Sequence, residues 1–182
     1  VEHASQLIHV QSSFQKLAKF KCEVFNHTVC KNKDFLEIIP LVEGVENQMN
    51  IGHLLRSYIQ EYKKNFKSIP TYIRPFLARS DPALVSGVVA NVLANKIALS
   101  EIAKFSVETK IATFPIIGAG SLIFRGGLSP DRISDFLKQY AGIKTVTIQS
   151  AFRYDYPLSK VKKAIKDLRL GLKRGEAKQI SE

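Results

Sequence analysis

Between Gly118 and Gly127 the chain reads GAGSLIFRGG, four glycines and one arginine within ten residues. Glycine lets backbone N–H groups approach an anion closely. Arg125 adds a planar fork that matches phosphate or carboxylate. The spacing is not that of a dinucleotide loop, and it lacks the Gly-Lys-Ser/Thr of a P-loop. Taken alone it also fits a tight turn with a surface arginine. Two carboxylates add a second kind of chemistry. Glu43 ends the apolar run in IPLVEG and Asp81 sits in ARSDPAL. Together they could hold a hard cation such as Mg²⁺ through oxygen ligands. Asp81 before Pro82 also has the form of a helix N-cap. Arg79 and Arg153 are further cationic candidates, the latter set among Phe152, Tyr154 and Tyr156. His3, His9, His27 and His53 have no serine or cysteine partner in a nucleophile motif, and none is assigned a catalytic role.

These residues share one kind of position. Apolar runs at 35–42, 71–78, 111–117 and 144–151 read as strands. Glu43, Arg79, Asp81, the glycine loop and Arg153 each follow one of them. Helices are expected over 3–27, 50–66, 81–105 and 129–140, and from 158 onward, with Gly142 as a C-terminal glycine. The strand-end landmarks fall at 43, 81, 118 and 153, roughly 35–38 residues apart. The continuous apolar runs suit a parallel sheet covered on both faces. The expected fold class is therefore α/β, with residues 1–182 as one domain. It comprises a leading helix over 3–27 and about four consecutive βα units over 35–175. Either a compact open sheet or half of an eight-stranded barrel satisfies this pattern. Both place ligands at the carboxyl ends of the strands.

Composition narrows the classes. The net charge is +11, but the lysines fall in the polar stripes of helices, such as Lys160, Lys162, Lys163 and Lys166. Without a recognised motif or interleaved aromatics, a basic nucleic-acid-binding module is the weaker alternative. The tail RLGLKRGEAK is basic and expected to fray. No apolar run reaches the roughly 20 residues of a membrane span. The opening VEHASQLIHV shows neither a basic n-region nor a cleavage site. A chain opening at Val1 without methionine reads as a piece of something longer. Cys22 and Cys30 make no disulfide framework and fit no common zinc spacing. They suggest a reducing cytoplasm.

Four stretches, IPLVEG (39–44), LARSDPALVSG (77–87), FPIIGAGSLIFRGGLSP (114–130) and TIQSAFRYDYP (147–157), resemble the archaeal-type phosphoenolpyruvate carboxylases, also found in some bacteria. The resemblance runs from about Glu2 to Leu172. It implies a central fragment of a longer enzyme, with a partial (β/α)8 TIM-type barrel as the fold. The larger bacterial and plant carboxylases carry a loop of form HGRGG-x-x-GRGG. Phe124-Arg125-Gly126-Gly127 matches its final GRGG except at the first glycine. Ile117 and Ala119 fall where that loop has histidine and its first arginine, so those roles do not carry over. Leu84 or a neighbour takes the place of the lysine in the larger enzymes' SDS-x-K motif.

The implied reaction is Mg²⁺- or Mn²⁺-dependent carboxylation of phosphoenolpyruvate by bicarbonate, giving oxaloacetate and phosphate. The resemblance gives Glu43 and Asp81 to the metal and makes Arg125 and Arg153 catalytic. It puts Arg79, Gly118, Gly120, Ser121 and Gly126 at the substrate. It also implies a cytoplasmic homo-oligomer, without nucleic acid or membrane partners. The family's catalytic histidine falls in an upstream segment, so the fragment alone is expected to be inactive. The alternative is another barrel enzyme acting on a phosphorylated small molecule.

Overall fold

The computed structural model describes residues 1–25 and 36–180. Helix α1 (Ala4–Val24) opens the chain. The Gln6 side chain reaches back to accept the N–H of Glu2 at 3.0 Å and of His3 at 3.2 Å. Leu7, Ile8 and Gln11 pack α1 against α3 (Ile51–Phe66). There Tyr58 donates to Gln11 Oε1 at 3.0 Å. Burial pushes the Tyr58 phenol up to about 12, the Gln11 hydrogen bond pulling the other way. Residues 26 and 27 of the expected first helix lie outside the described residues, as do His27 and Cys30. Cys22 is disulfide-bonded, which corrects the expectation of a reduced thiol there.

The sheet is parallel and follows chain order. Strands β1 (Leu41–Val42), β3 (Phe76–Leu77), β5 (Ile116–Ile117) and β6 (Thr145–Val146) lie side by side. Their partners align in two rows, Leu41/Phe76/Ile116/Thr145 and Val42/Leu77/Ile117/Val146. A separate pair joins β2 (Tyr72–Ile73) to β4 (Ala112–Thr113). Each expected strand therefore pairs over only a few residues, and in the second and third of them proline interrupts the ladder. Pro75 and Pro115 stand just before β3 and β5 and have no N–H to give the ladder. Phe114 N–H still reaches Ile73 O at 2.9 Å and Ile116 N–H reaches Pro75 O at 2.8 Å. The donor missing between those bonds is that of Pro75.

Helices α2 (Val45–Met49), α3, α4 (Ser80–Ser86) and α5 (Val88–Thr109) cover one face. Val42, Leu77 and Ile117 are fully buried in the core they form with residues such as Ile51, Leu55, Ala98, Ile102 and Phe105. Residues of opposite parity on the strands fare differently. Ile39 is 46% exposed and Phe114 43% exposed. Ile116 on that side is nevertheless buried, at 5%, so the second face is covered only in part among the described residues.

Three element boundaries also differ from expectation. The long helix from Asp81 is two helices, α4 and α5, parted at Gly87, whose φ of +88 no helix interior accepts. Arg79 holds the N-cap position of α4, and Asp81 lies within its first turn. Helix α6 (Ile133–Gln139) begins after a turn that Ser129 closes by accepting the Arg132 N–H at 3.0 Å. Gly142, with φ +102, follows α6 as expected. Beyond α7 (Leu158–Arg174) the tail does not fray. Lys144 donates to Gly175 O at 2.8 Å, and Ile180 N–H bonds Ser100 Oγ at 2.9 Å.

Candidate active site

Glu43 leaves β1 directly after Val42, and Val42 pairs with Leu77 of β3. Arg79 and Asp81 follow Leu77 within four residues. Ile117 of β5 pairs with Leu77 and leads into the glycine loop, and Val146 of β6 pairs with Ile117 and leads to Arg153. Parallel pairing in chain order therefore carries every candidate residue to one rim, at the carboxyl ends of the sheet. Glu43, Asp81, Arg125 and Arg153 are all solvent-exposed there. None of the four has an ion-pair partner among the described residues.

The loop after β5 is built from its own hydrogen bonds. Gly120 N–H donates to Arg125 O at 2.7 Å, and Leu128 N–H donates to Gly120 O at 2.7 Å. A single 3-10 turn, Ile123–Arg125, fills the space between. Gly126 and Gly127 have φ of +98 and +68, values that a side chain strains. Gly126 and Gly127 donate to Ile123 O and Leu122 O, each at 3.0 Å, and Gly118 donates to Leu77 O at 3.2 Å. The N–H groups of Gly118, Gly120 and Gly126 are thus engaged inside the protein. Those of Ser121, Leu122, Ile123 and Phe124 have no partner among the described residues. The N–H groups left free for a ligand belong to the stretch between the glycines, and the glycines shape it.

Arg125 lies across the loop. Its Nη1 donates to Gln149 Oε1 at 3.1 Å, and its guanidinium stands 5.6 Å from the Phe124 ring centre. Gly120 makes room for this pair: a Cβ there would fall 2.5 Å from Gln149 Oε1. Gly118 likewise admits the Phe76 ring, which would stand 2.9 Å from an added Cβ. Arg153 sits in a π-helical turn, Ala151–Asp155, with its guanidinium 5.1 Å from the Tyr154 ring centre. That turn replaces the last residue of the expected fourth strand.

Arg79 differs from the other candidates. It is only 2% exposed, and its guanidinium is occupied. Nε donates to Tyr140 Oη at 2.8 Å, Nη1 donates to Asn91 Oδ1, and Nη2 reaches Ile123 O at 3.5 Å. Beneath it, Gln48 donates to Ala78 O at 2.7 Å and to Val42 O at 3.4 Å. Asn95 Nδ2 donates to Gln48 Oε1 at 2.7 Å, and Asn91 Nδ2 does so at 3.3 Å. Gln48, Asn91, Asn95 and Tyr140 were not among the sequence candidates. The usable signal was Asn91 and Asn95, one turn apart in the largely apolar first half of α5, VVANVLAN.

Among the described residues no three histidine, cysteine or acidic side chains gather as a metal cluster. The donor set present is two carboxylates without ion-pair partners at adjacent strand ends. Oxygen donors of this kind suit Mg²⁺ or Mn²⁺, and Mg²⁺ is commonly held by one or two carboxylates with water or substrate completing the shell.

Fold and rim together define an α/β protein segment whose candidate residues gather at the carboxyl ends of parallel strands. The family model described as phosphoenolpyruvate carboxylase matches residues 1–182, and the chain belongs to that family. The phosphoenolpyruvate carboxylase of Oenococcus oeni is 44% identical over 179 residues, covering 98% of this chain and 35% of the relative. That of Leuconostoc mesenteroides is 41% identical over 180 residues, covering 99% and 36%. An archaeal relative, from Metallosphaera sedula, is 45% identical over 130 residues, covering 71% and 24%. The chain spans about a third of the length of the first two relatives.

Proposed function

We propose that this chain is the central part of a phosphoenolpyruvate carboxylase that forms oxaloacetate and phosphate from phosphoenolpyruvate and bicarbonate. The observation that carries the reading is the full-length family match combined with one rim holding Glu43, Asp81, the glycine loop, Arg125 and Arg153. A bicarbonate oxygen attacks phosphorus, and the bond from phosphorus to the enol oxygen breaks, giving carboxyphosphate and the enolate of pyruvate. Carboxyphosphate separates into CO₂ and phosphate. The enolate carbon then bonds to CO₂.

Each residue has a place in that sequence. Glu43 and Asp81 would hold Mg²⁺ or Mn²⁺, which as a Lewis acid supplies charge stabilisation for the developing enolate. Arg125 and the N–H groups of Ser121 to Phe124 bind the phosphoryl oxygens, whose charge is redistributed during transfer. Arg153 binds a second anionic group, its guanidinium seated against Tyr154. Gly118, Gly120 and Gly126 keep the loop close-packed so that these donors stay aimed. The charged rim residues have no ion-pair partner among the described residues, which supports this reading, because their charge is left for substrate or metal.

The fold proposal follows from the sheet. Strand order matching chain order, with one face covered by helices and the other carrying exposed Ile39, Leu41 and Phe114, suits a partial (β/α)8 barrel of about four consecutive βα units. In a complete barrel that second face is interior. None of the helices among the described residues is long and apolar enough to cross a membrane. We place the whole enzyme in the cytoplasm as a homo-oligomer, as its resemblance implies.

Replacing Arg125 by alanine in the full-length enzyme tests the reading. Loss of a charge-stabilising donor of this type costs about 10²–10³ in turnover. Bicarbonate-dependent phosphate release should fall accordingly. Release at the parent rate would exclude the carboxylase reading.

A further inference from the structure

Arg79 is the one charged side chain buried among the described residues, and no carboxylate neutralises it there. A buried cation without a counterion is unfavourable unless its donors are well matched. Three neutral oxygens, on Tyr140, Asn91 and Ile123, provide that match. We infer that Arg79 is a positioning residue rather than a substrate contact. It holds the 120–128 loop from beneath, and Gln48, Asn91 and Tyr140 hold Arg79. The inference rests on the phosphoryl-binding role proposed for that loop.

Three features lead to it. First, the stem of Arg79 runs under the loop: a Cβ at Gly126 would lie 3.6 Å from Arg79 Cγ. Second, its head reaches the Ile123 carbonyl at 3.5 Å, the outer limit of a hydrogen bond. That carbonyl shares its peptide unit with the unpartnered Phe124 N–H. A cation drawn to the oxygen polarises the unit and sharpens Phe124 as a donor toward an anion. Third, the network under Arg79 is anchored at the other half of the site. Gln48 binds the carbonyls of Val42 and Ala78, the residues immediately before Glu43 and Arg79. One hydrogen-bonded unit therefore sets the backbone from which the carboxylates depart and supports the loop on the same rim. A lysine has three donors but on a single nitrogen, and cannot reach acceptors placed around three separate nitrogens of a planar fork.

The test uses the full-length enzyme with Tyr140→Phe, which removes one acceptor and keeps the ring, and with Arg79→Lys. Amide hydrogen exchange at Gly120, Gly127 and Leu128 is measured without substrate. Both variants should exchange there at least about tenfold faster than the parent, with α3 amides unchanged. In steady-state kinetics the KM for phosphoenolpyruvate should rise about tenfold, and the KM for bicarbonate should stay within about twofold of the parent. Unchanged loop exchange, or acceleration shared equally by α3, overturns the inference. So does an equal rise in both KM values. If the loop opens as expected but the parent forms no oxaloacetate, loop positioning stands and the carboxylase reading falls.

Discussion

Gly120 shows how narrowly Arg125 is set. Its backbone is not in the left-handed region, so alanine there meets no φ penalty. The difficulty is the 2.5 Å approach of a new Cβ to Gln149 Oε1 and 3.2 Å to Arg125 Cδ. Both are parts of flexible side chains that can move aside. Gly120→Ala in the full-length enzyme should therefore cost less than about 1 kcal/mol in stability. The movement, however, breaks the Arg125–Gln149 bond and shifts the guanidinium. Displacements of this order in a positioned group lower kcat/KM by about 10–100-fold. An active variant with parent kinetics would show that Gln149 does not fix Arg125. The candidates at this scale were legible because chemistry-bearing residues followed apolar runs. Gln48, Asn91, Asn95 and Tyr140 were not, because a buried polar side chain is defined by partners distant in sequence. Arg79 was legible as a cation but not as a buried one.

At the scale of elements, two glycines with similar backbone and different surroundings make a matched pair. Gly87 joins α4 to α5 with φ +88, and an added Cβ there meets nothing within 4 Å. Gly142 has φ +102, and a Cβ there would lie 2.7 Å from Ala177 Cβ and 2.9 Å from Ala177 N. Alanine at 87 carries backbone strain alone, about 1–2 kcal/mol. Alanine at 142 carries strain and also drives out the segment that follows α7, for about 2–4 kcal/mol in total. Only Gly142→Ala should accelerate hydrogen exchange of the Ile180 amide, which is bonded to Ser100. Equal acceleration in both variants would mean that the tail is not seated through Gly142. The positions of strands and helices were readable from apolar periodicity and glycine punctuation. The two-residue pairings were not read, although Pro40, Pro75 and Pro115 marked them. Each proline carbonyl accepts a bond from the next strand, from Phe76, Ile116, and Lys144 with Thr145. A sequence pattern of acceptors without donors is visible only once the register is known. The tail was misread because its charge suggested solvent, while its neutral backbone makes the contacts.

For the whole molecule, the same sheet that gathers the rim leaves it open. Four parallel strands supply Glu43, Asp81, the loop and Arg153, and all four charged rim residues face solvent. In water their pull on an anion is weakened by the high dielectric. An enolate formed there would meet water before CO₂, and protonation would give pyruvate. The exposed strand residues Ile39, Leu41 and Phe114, and the outer stripe of α1 with Leu17, Phe20 and Val24, await apolar cover from elsewhere. Under the proposed function, that cover and the general acid–base groups come from the remaining two thirds of the enzyme. The isolated segment 1–182 should then form no detectable oxaloacetate from phosphoenolpyruvate and bicarbonate with Mg²⁺, under conditions where the full-length enzyme turns over. Pyruvate is assayed alongside, because its appearance would mean that the rim transfers the phosphoryl group but fails to shield the enolate. Sustained oxaloacetate formation by the segment alone would show that these four strands already enclose a working site, and would defeat the half-barrel proposal.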